Sequence, residues 1–300
     1  MQIDSHQHFW KYNPADYVWM SEEMSILRHD FLPETLEPQL RAVGFDGTIA
    51  VQARQMLVET EWLLELADQH PFIKGVVGWV DFESPQLGEQ LERFASHPKL
   101  RGVRELIHDM ADIDYAISVN HLAAISQLAN FDLTYDLLLK PPHIRPAITL
   151  VEKFPNQPFV VDHLAKPAIA AIASTSGPTS SRTTQWERDL RDLATHDNVC
   201  CKLSGMVTEA VWNAWQVDDF RPYLDIALEA FGPERLMIGS DWPVCTLAAT
   251  YEDVMGIVVD YVNKLAENER NAILGGTCAR FYDLDGPGDA SVTDDLAGAK

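Results

Sequence analysis

Cysteine is scarce in this chain of 300 residues: there are four, Cys200, Cys201, Cys245 and Cys278. None forms a Cys-x-x-Cys pair and two are adjacent, a pattern that suits neither a zinc knuckle nor a disulfide framework. Reduced, inert thiols in a cytoplasmic protein are the expectation. Positive charge is also short, with 23 Lys and Arg against 45 Asp and Glu and a formal net charge of −22. Such a field repels phosphate backbones and anionic lipid heads, so nucleic acid and membrane surfaces are not expected partners. No apolar run approaches the roughly 18 residues of a transmembrane helix. The chain does not open on a basic segment followed by an apolar one, so no signal peptide is expected. Hydrophobic residues at 46% exclude a disordered or collagen-like chain.

What is present is a recurring short β-branched segment. It appears at 2–5, 47–52, 73–81, 100–106, 133–138, 158–163, 199–204 and 236–241, about 30 residues apart, the length of one strand plus one helix. Helical periodicity fills the gaps. Leu36, Leu40 and Val43 share a face that stops at Gly44; Phe220, Leu224, Ala227 and Phe231 form a stripe closed by Gly232-Pro233. Ser84-Pro85 reads as a cap and first turn leading into Leu87, Leu91 and Phe94. Length alone permits two domains of about 150 residues. Eight alternating units with near-continuous apolar strands imply instead one parallel sheet covered on both faces. The expected fold is α/β, a single (β/α)8 TIM barrel over 1–284. The acidic, Gly-rich stretch 285–300 reads as a disordered tail. The Ser/Thr-rich stretch 173–184 reads as a loop on the carboxyl-end face, either a plain surface insertion or a lid.

Such barrels build their sites at the carboxyl ends of the strands, so the polar strand ends carry the functional argument. The first strand ends His6-Gln7-His8, and alternation places both imidazoles on one face. The sixth ends Asp162-His163 with Lys166 close behind, and the eighth ends Ser240-Asp241-Trp242-Pro243. A carboxylate after an apolar strand is costly to bury unless it is paired or ligates a metal; the alternative for Asp241 is a helix N-cap. First and eighth strands are neighbours in a closed barrel, so His6, His8, His163 and Asp241 converge. They suit a single divalent cation or a polarised water.

Six blocks extend this pattern: Asp4-Ser5-His6-Gln7-His8-Phe9-Trp10, Val51-Gln52-Ala53-Arg54-Gln55, Gly75-Val76-Val77-Gly78-Trp79-Val80-Asp81, Asp162-His163-Leu164-Ala165-Lys166-Pro167, Cys201-Lys202-Leu203-Ser204-Gly205 and Gly239-Ser240-Asp241-Trp242-Pro243-Val244-Cys245. Together they resemble the amidohydrolase superfamily, in the branch of L-fuconolactonase-, L-rhamnonolactonase- and pyrone-dicarboxylate-lactonase-like enzymes. The resemblance covers about residues 2–284 and implies a hydrolase that opens the cyclic ester of a sugar lactone, an aldonolactone such as L-fuconolactone or L-rhamnonolactone. Hydrolysis of a dicarboxylate lactone is the alternative, and a non-catalytic barrel binding a sugar acid is the more distant one.

One departure matters: where the branch usually has a His on the fourth strand, this chain has Glu105. No bridging carboxylated lysine is visible either, so at most one cation, zinc or manganese, is expected, and metal-independent chemistry stays open. Asp241 is the expected general base, and His6, His8 and His163 the expected stabilisers of the oxyanion or ligands of the metal, with Glu105 a weaker candidate ligand. Gln52, Arg54, Arg104 and Lys166, walled by Trp10, Trp19 and Trp79, are the expected substrate contacts. Lys202 reads as either a site residue or a structural cation for nearby carboxylates, and Asp136 as facing either mouth or core. A homodimer is left open.

Overall fold

The structure is a computed structural model that describes residues 1–173 and 184–284. The stretch expected to be a loop or lid therefore lies almost wholly outside the described residues, as does the tail 285–300. Eight parallel strands run in the order β1 to β8: Ile3–Gln7, Gly47–Val51, Ile73–Gly78, Leu100–Glu105, Thr134–Leu137, Phe159–Val161, Val199–Leu203 and Leu236–Ile238. Each is followed by a helix of nine residues or more, from Pro33–Ala42 after β1 to Tyr251–Val262 after β8. This is a (β/α)8 barrel. No helix among the described residues is long and apolar enough to cross a membrane.

The helices form for the reasons their stripes suggest. Leu87–Ala95 buries Leu87, Leu91 and Phe94, each contributing about 2 kcal/mol of transfer free energy. Nine residues are too few to hold a helix alone in water, so that packing decides its existence. It starts two residues later than expected: Ser84 and Pro85 form a turn whose carbonyl at Ser84 accepts from Leu87 N, and Gln86 is the cap. The helix Arg221–Phe231 buries Leu224, Ala227 and Phe231, as its spacing requires.

Inward-facing residues divide into two layers of opposite character. The lower layer is apolar: Ile3, Ile49, Val51, Val77, Val160 and Met237 pack together and are closed from beneath by Cys278, Tyr282 and Leu284. The upper layer is polar and leads to the mouth. On β1 the change of layer coincides with an irregularity, a register shift against β2 between Asp4 and Gln7. Strict alternation from the inward Ile3 would aim Ser5 and Gln7 at the barrel axis. The bulge changes the parity, so His6 and His8 face inward instead.

The ring closes between β1 and β8. His8 N donates to Trp242 O at 2.7 Å and Asp241 N to His6 O at 2.8 Å. Asp4 staples the seam below: its carboxylate accepts from Ser240 N at 2.9 Å, Ser240 Oγ at 2.7 Å and Tyr251 Oη at 3.1 Å. Burial pushes the Asp4 carboxyl up to about 6 despite those donors. Gly239 is required here, because a Cβ would stand 2.9 Å from His6 Cβ. The backbone that carries Asp241 is thus locked to the backbone that carries His6 and His8.

Candidate active site

Three strand ends deliver four side chains to one point at the mouth. His6 Nε2 and His8 Nε2 lie 3.2 Å apart. Asp241 Oδ1 is 3.4 Å from His8 Nε2, 3.7 Å from His163 Nε2 and 3.9 Å from His6 Nε2. The imidazoles meet edge to face, with ring centroids 4.9 Å apart for His6–His8 and 4.4 Å for His6–His163. All four residues are buried. The N-cap alternative for Asp241 fails, since its carboxylate faces this cluster and the residue has φ +57°.

Strained backbone aims the two later members. His163, Leu164, Ala165 and Lys166 all have φ between 51° and 54°, a run of four left-handed residues without a glycine. Each costs on the order of 1 kcal/mol or more. Burial of Leu164 and Ala165, a hydrogen bond from Trp186 Nε1 to Leu164 O at 2.7 Å and one from Lys166 N to His163 O at 2.8 Å hold the run. Its effect is to turn His163 back over the mouth while presenting Lys166 to the same space.

Partners fix the ring nitrogens. His8 Nδ1 faces the carbonyl of Val51 at 2.8 Å, which can only accept. In the neutral ring the proton therefore sits on Nδ1, and Nε2 offers a lone pair to the cluster. In that tautomer His8 Nε2 can accept a hydrogen bond or ligate a metal but cannot donate to an oxyanion, the role its sequence position suggested. His163 Nδ1 faces Ser204 Oγ at 2.9 Å; a hydroxyl donating there leaves the His163 proton on Nε2, toward Asp241. Burial holds His6 and His163 well below the usual imidazole range, so both are neutral near pH 7. Burial alone would raise Asp241, but His163, facing it through Nε2, and Lys166 outweigh it and the carboxyl titrates below its ordinary value. It is ionised.

A second group of residues supports His6 from within the barrel. Asp162 Oδ1 is 3.2 Å from His6 Nδ1, and Lys202 Nζ is 3.2 Å from the same nitrogen. Lys202 also pairs with Asp136 at 2.5 Å and Asp162 at 3.0 Å, and Arg104 Nη1 reaches Asp162 Oδ2 at 2.9 Å. Burial would lift the Asp162 carboxyl, yet Lys202, His6 and Arg104 hold it well below the ordinary range. Tyr282 donates to Asp136 at 2.9 Å, joining the network to the floor of the barrel. Lys202 is the structural cation for carboxylates, and Asp136 faces the barrel axis while Tyr135 packs outward against Phe82 and His121.

A cavity of about 360 Å³ opens above the cluster. Among the expected substrate contacts, Arg104, Lys166, Trp10 and Trp19 line it; Gln52, Arg54 and Trp79 do not. Gln52 is fully buried and braces Arg104, whose Nη2 donates to the Gln52 carbonyl. Arg54 is drawn aside by Asp16 at 2.7 Å and Glu59 at 3.7 Å and stacks over Tyr17. Trp79 Nε1 donates to Glu105 Oε2 at 3.0 Å. Glu105 itself is taken up by Trp79, Gln55 Nε2 at 2.6 Å and Leu106 N at 2.6 Å, and stands outside the groups that converge on a point. Its position on β4 suggested a ligand; its bonds point elsewhere.

Several lining residues carried no signal in the sequence: His108, Asp109 and Lys140 from the loops after β4 and β5, and Thr208, Glu209 and Trp212 after β7. They lie in loops and short helical turns beyond the strand ends, where neither period nor motif marks them. Asp162 was visible only as the neighbour of His163.

A parallel barrel whose first, sixth and eighth strand ends gather imidazoles around an ionised carboxylate, under a polar cavity, is built for hydrolysis. The comparisons agree with that class. The amidohydrolase family model matches residues 3–284, and the chain belongs to that family. The chain is 40% identical to an L-fucono-1,5-lactonase of Burkholderia multivorans, over 97% of this chain and 99% of that protein. It is 34% identical to an L-fucono-1,5-lactonase of Burkholderia ambifaria, over 95% of this chain and 97% of that one. A crystal structure of a Burkholderia multivorans amidohydrolase with bound zinc superposes with a TM-score of 0.88 at 40% identity, covering 95% of this chain and 99% of that one.

Gly205 offers a test of the geometry. It has φ +63°, and a Cβ there would stand 2.5 Å from His163 Nδ1 and 2.6 Å from its Cγ. Gly205→Ala must displace the His163 ring, and a misplacement near 1 Å costs roughly 10²-fold in rate. The expected outcome is a fall in kcat/KM of that order with an unchanged far-ultraviolet circular dichroism spectrum. Full activity in a folded variant would show that the position of His163 does not matter.

Proposed function

We propose that the protein hydrolyses the ring ester of a neutral sugar lactone at the barrel mouth. The observation that carries this reading is the ionised Asp241 held within 4 Å of three imidazoles beneath a cavity of sugar size. Asp241 takes a proton from water as the oxygen attacks the lactone carbonyl. His163, with its proton on Nε2, faces the same point and donates to the developing oxyanion. The His8 Nε2 lone pair accepts from the attacking water and orients it. Asp241 then returns the proton to the ring oxygen as the acyl–oxygen bond breaks, leaving a hydroxy acid.

The donor set also fits a single divalent cation. Tetrahedral zinc with nitrogen ligands needs donors roughly 3.3 Å apart; His6–His8 at 3.2 Å and His8–Asp241 at 3.4 Å match this, and His6–Asp241 at 3.9 Å is wider. A backbone carbonyl behind His8 is the usual support for a ligating ring. His6, His8 and Asp241 would hold the ion, and His163 could join them through Nε2 with its proton moved to Nδ1; when bound the ion would polarise the carbonyl and lower the pKa of water. The neighbouring group His6, Asp162 and His163 already has the Lys202 ammonium at 3.0 Å and the Arg104 guanidinium at 2.9 Å from Asp162. Two cations of the protein's own stand there, which favours one metal over two.

Charge pairing in the cavity favours a neutral polyol over a dicarboxylate lactone. Its three basic side chains each have a carboxylate partner: Arg104 with Asp162, Lys140 with Asp109 at 3.5 Å and Lys166 with Glu209 at 3.4 Å. The half-exposed Trp19, with Met24, Val244 and Leu247, adds an apolar wall suited to the carbon face of a sugar. The L-fucono-1,5-lactonases at 40% and 34% identity support an aldonolactone of that kind. Four cysteines free of disulfides accord with a reducing cytoplasm.

Initial rates over a panel of sugar lactones, followed with a pH indicator, test the reading because hydrolysis releases acid. Turnover of one or more aldonolactones is expected. Turnover of a pyrone or muconolactone alone, with every sugar lactone at background, would replace this reading with the dicarboxylate one. Elemental analysis of purified protein is expected to give no more than about one equivalent of divalent metal per chain, the capacity of one four-donor site. A reproducible value near two would overturn the single-site assignment.

A further inference from the structure

Lys166 and Glu209 form an ion pair in the cavity wall. Their closest atoms are 3.4 Å apart, and the two side chains are 19% and 25% exposed, with both facing the cavity. Lys166 leaves the last residue of the strained left-handed run that carries His163, and Glu209 closes the short helix Met206–Glu209 behind Gly205. Both therefore hang from the two loops that position His163. Lys166 lines the same cavity as Asp241 and His163. No other ion pair of the Lys166 ammonium is seen among the described residues, so Glu209 is its direct partner.

Chemistry gives that pairing a use. The reaction converts an uncharged lactone into a hydroxy acid whose new carboxylate forms at the reacting carbon, beside Asp241. An unpaired ammonium at Lys166 would hold that anion in the mouth. A paired one offers hydrogen bonds to the hydroxyls of a neutral ring and no net charge to a carboxylate, while Glu209 repels it. We propose that Glu209 is a specificity-determining residue that, by pairing with Lys166, lets the mouth bind the neutral lactone and release its anionic product. This rests on the lactone-hydrolase reading above. The same device excludes lactones that carry carboxylates of their own.

Glu209→Gln keeps the side-chain shape and frees Lys166. The probe is L-fuconate, used as a product-type inhibitor of hydrolysis of L-fucono-lactone or of whichever panel lactone wild type turns over best. Its Ki is expected to fall by about tenfold in the variant, the scale of one unscreened charge near a ligand carboxylate, while KM for the neutral lactone changes by no more than about threefold. A merely structural role would move KM and Ki together. Lys166→Met in the Glu209→Gln background is expected to return Ki to the wild-type value. If Ki is unchanged in a Glu209→Gln enzyme that still hydrolyses the lactone, or if the double variant keeps the tight inhibition, the inference is wrong. Should Glu209→Gln alone fail to fold, the double variant decides: it replaces a neutral pair with neutral side chains, so the ratio of Ki to KM is expected to stay within about twofold of wild type, and a roughly tenfold rise in that ratio would contradict the inference. Failure of wild type to cleave any sugar lactone would instead strike the function itself.

Discussion

Lys202 sits in the middle of the barrel with no exposed surface, 2.5 Å from Asp136, 3.0 Å from Asp162 and 3.2 Å from His6. An ammonium in such a place carries a desolvation cost of several kcal/mol, which only close carboxylates offset. Asp162 and Asp136 supply them, and Arg104 balances Asp162 from the other side. The upper layer of the barrel is thus a set of mutually dependent charges, and loss of one member leaves its partner buried and unpaired. His6 stands at the top of this set, so its ring is fixed by charges that water does not reach.

From that constraint follows the division of the barrel into an apolar floor and a polar ceiling. Ile3, Ile49, Val77 and Met237 fill the floor with ordinary close packing. The ceiling replaces packing with ion pairs, and the bulge in β1 marks the level at which one gives way to the other. The same level is where β8 meets β1 through Asp4 and Ser240. Above it lie the left-handed run from His163 to Lys166 and Asp241, while Asp132 and Asp283 are isolated positive-φ residues elsewhere. Stability is concentrated below and the strained, functional geometry above, an order expected of a barrel that works at one end.

Much of this was legible in the residues alone. All eight strands fall where β-branched runs and the thirty-residue spacing put them, because buried parallel strands need continuous apolar sequence. His6, His8, His163 and Asp241 could be placed together because strand ends and ring closure fix them before any side-chain detail matters. The substrate wall was far less legible. Gln52 and Arg54 follow β2 much as Arg104 ends β4, yet only Arg104 reaches the cavity, since Glu59 and Asp16 capture Arg54. No period or motif encodes such competition between partners. The left-handed run is equally silent: His-Leu-Ala-Lys contains neither glycine nor asparagine to announce positive φ, and tertiary packing alone imposes it. Glu105 shows the reverse error, a chemically apt residue in an apt position whose hydrogen bonds are already made.

Asp241 is the proposed general base, and base and fold can be separated at this residue. Asn has the shape of Asp and tolerates the same backbone, since both residues visit positive φ more readily than most. The measurement is kcat for lactone hydrolysis by Asp241→Asn, alongside its thermal midpoint and its binding of a non-hydrolysed lactone analogue. The account predicts a fall in kcat of about 10²–10⁴-fold, the worth of a positioned acid–base group, with a midpoint held or raised and analogue binding changed far less. A folded variant that keeps more than about a tenth of wild-type kcat, against that range, would remove Asp241 from the mechanism.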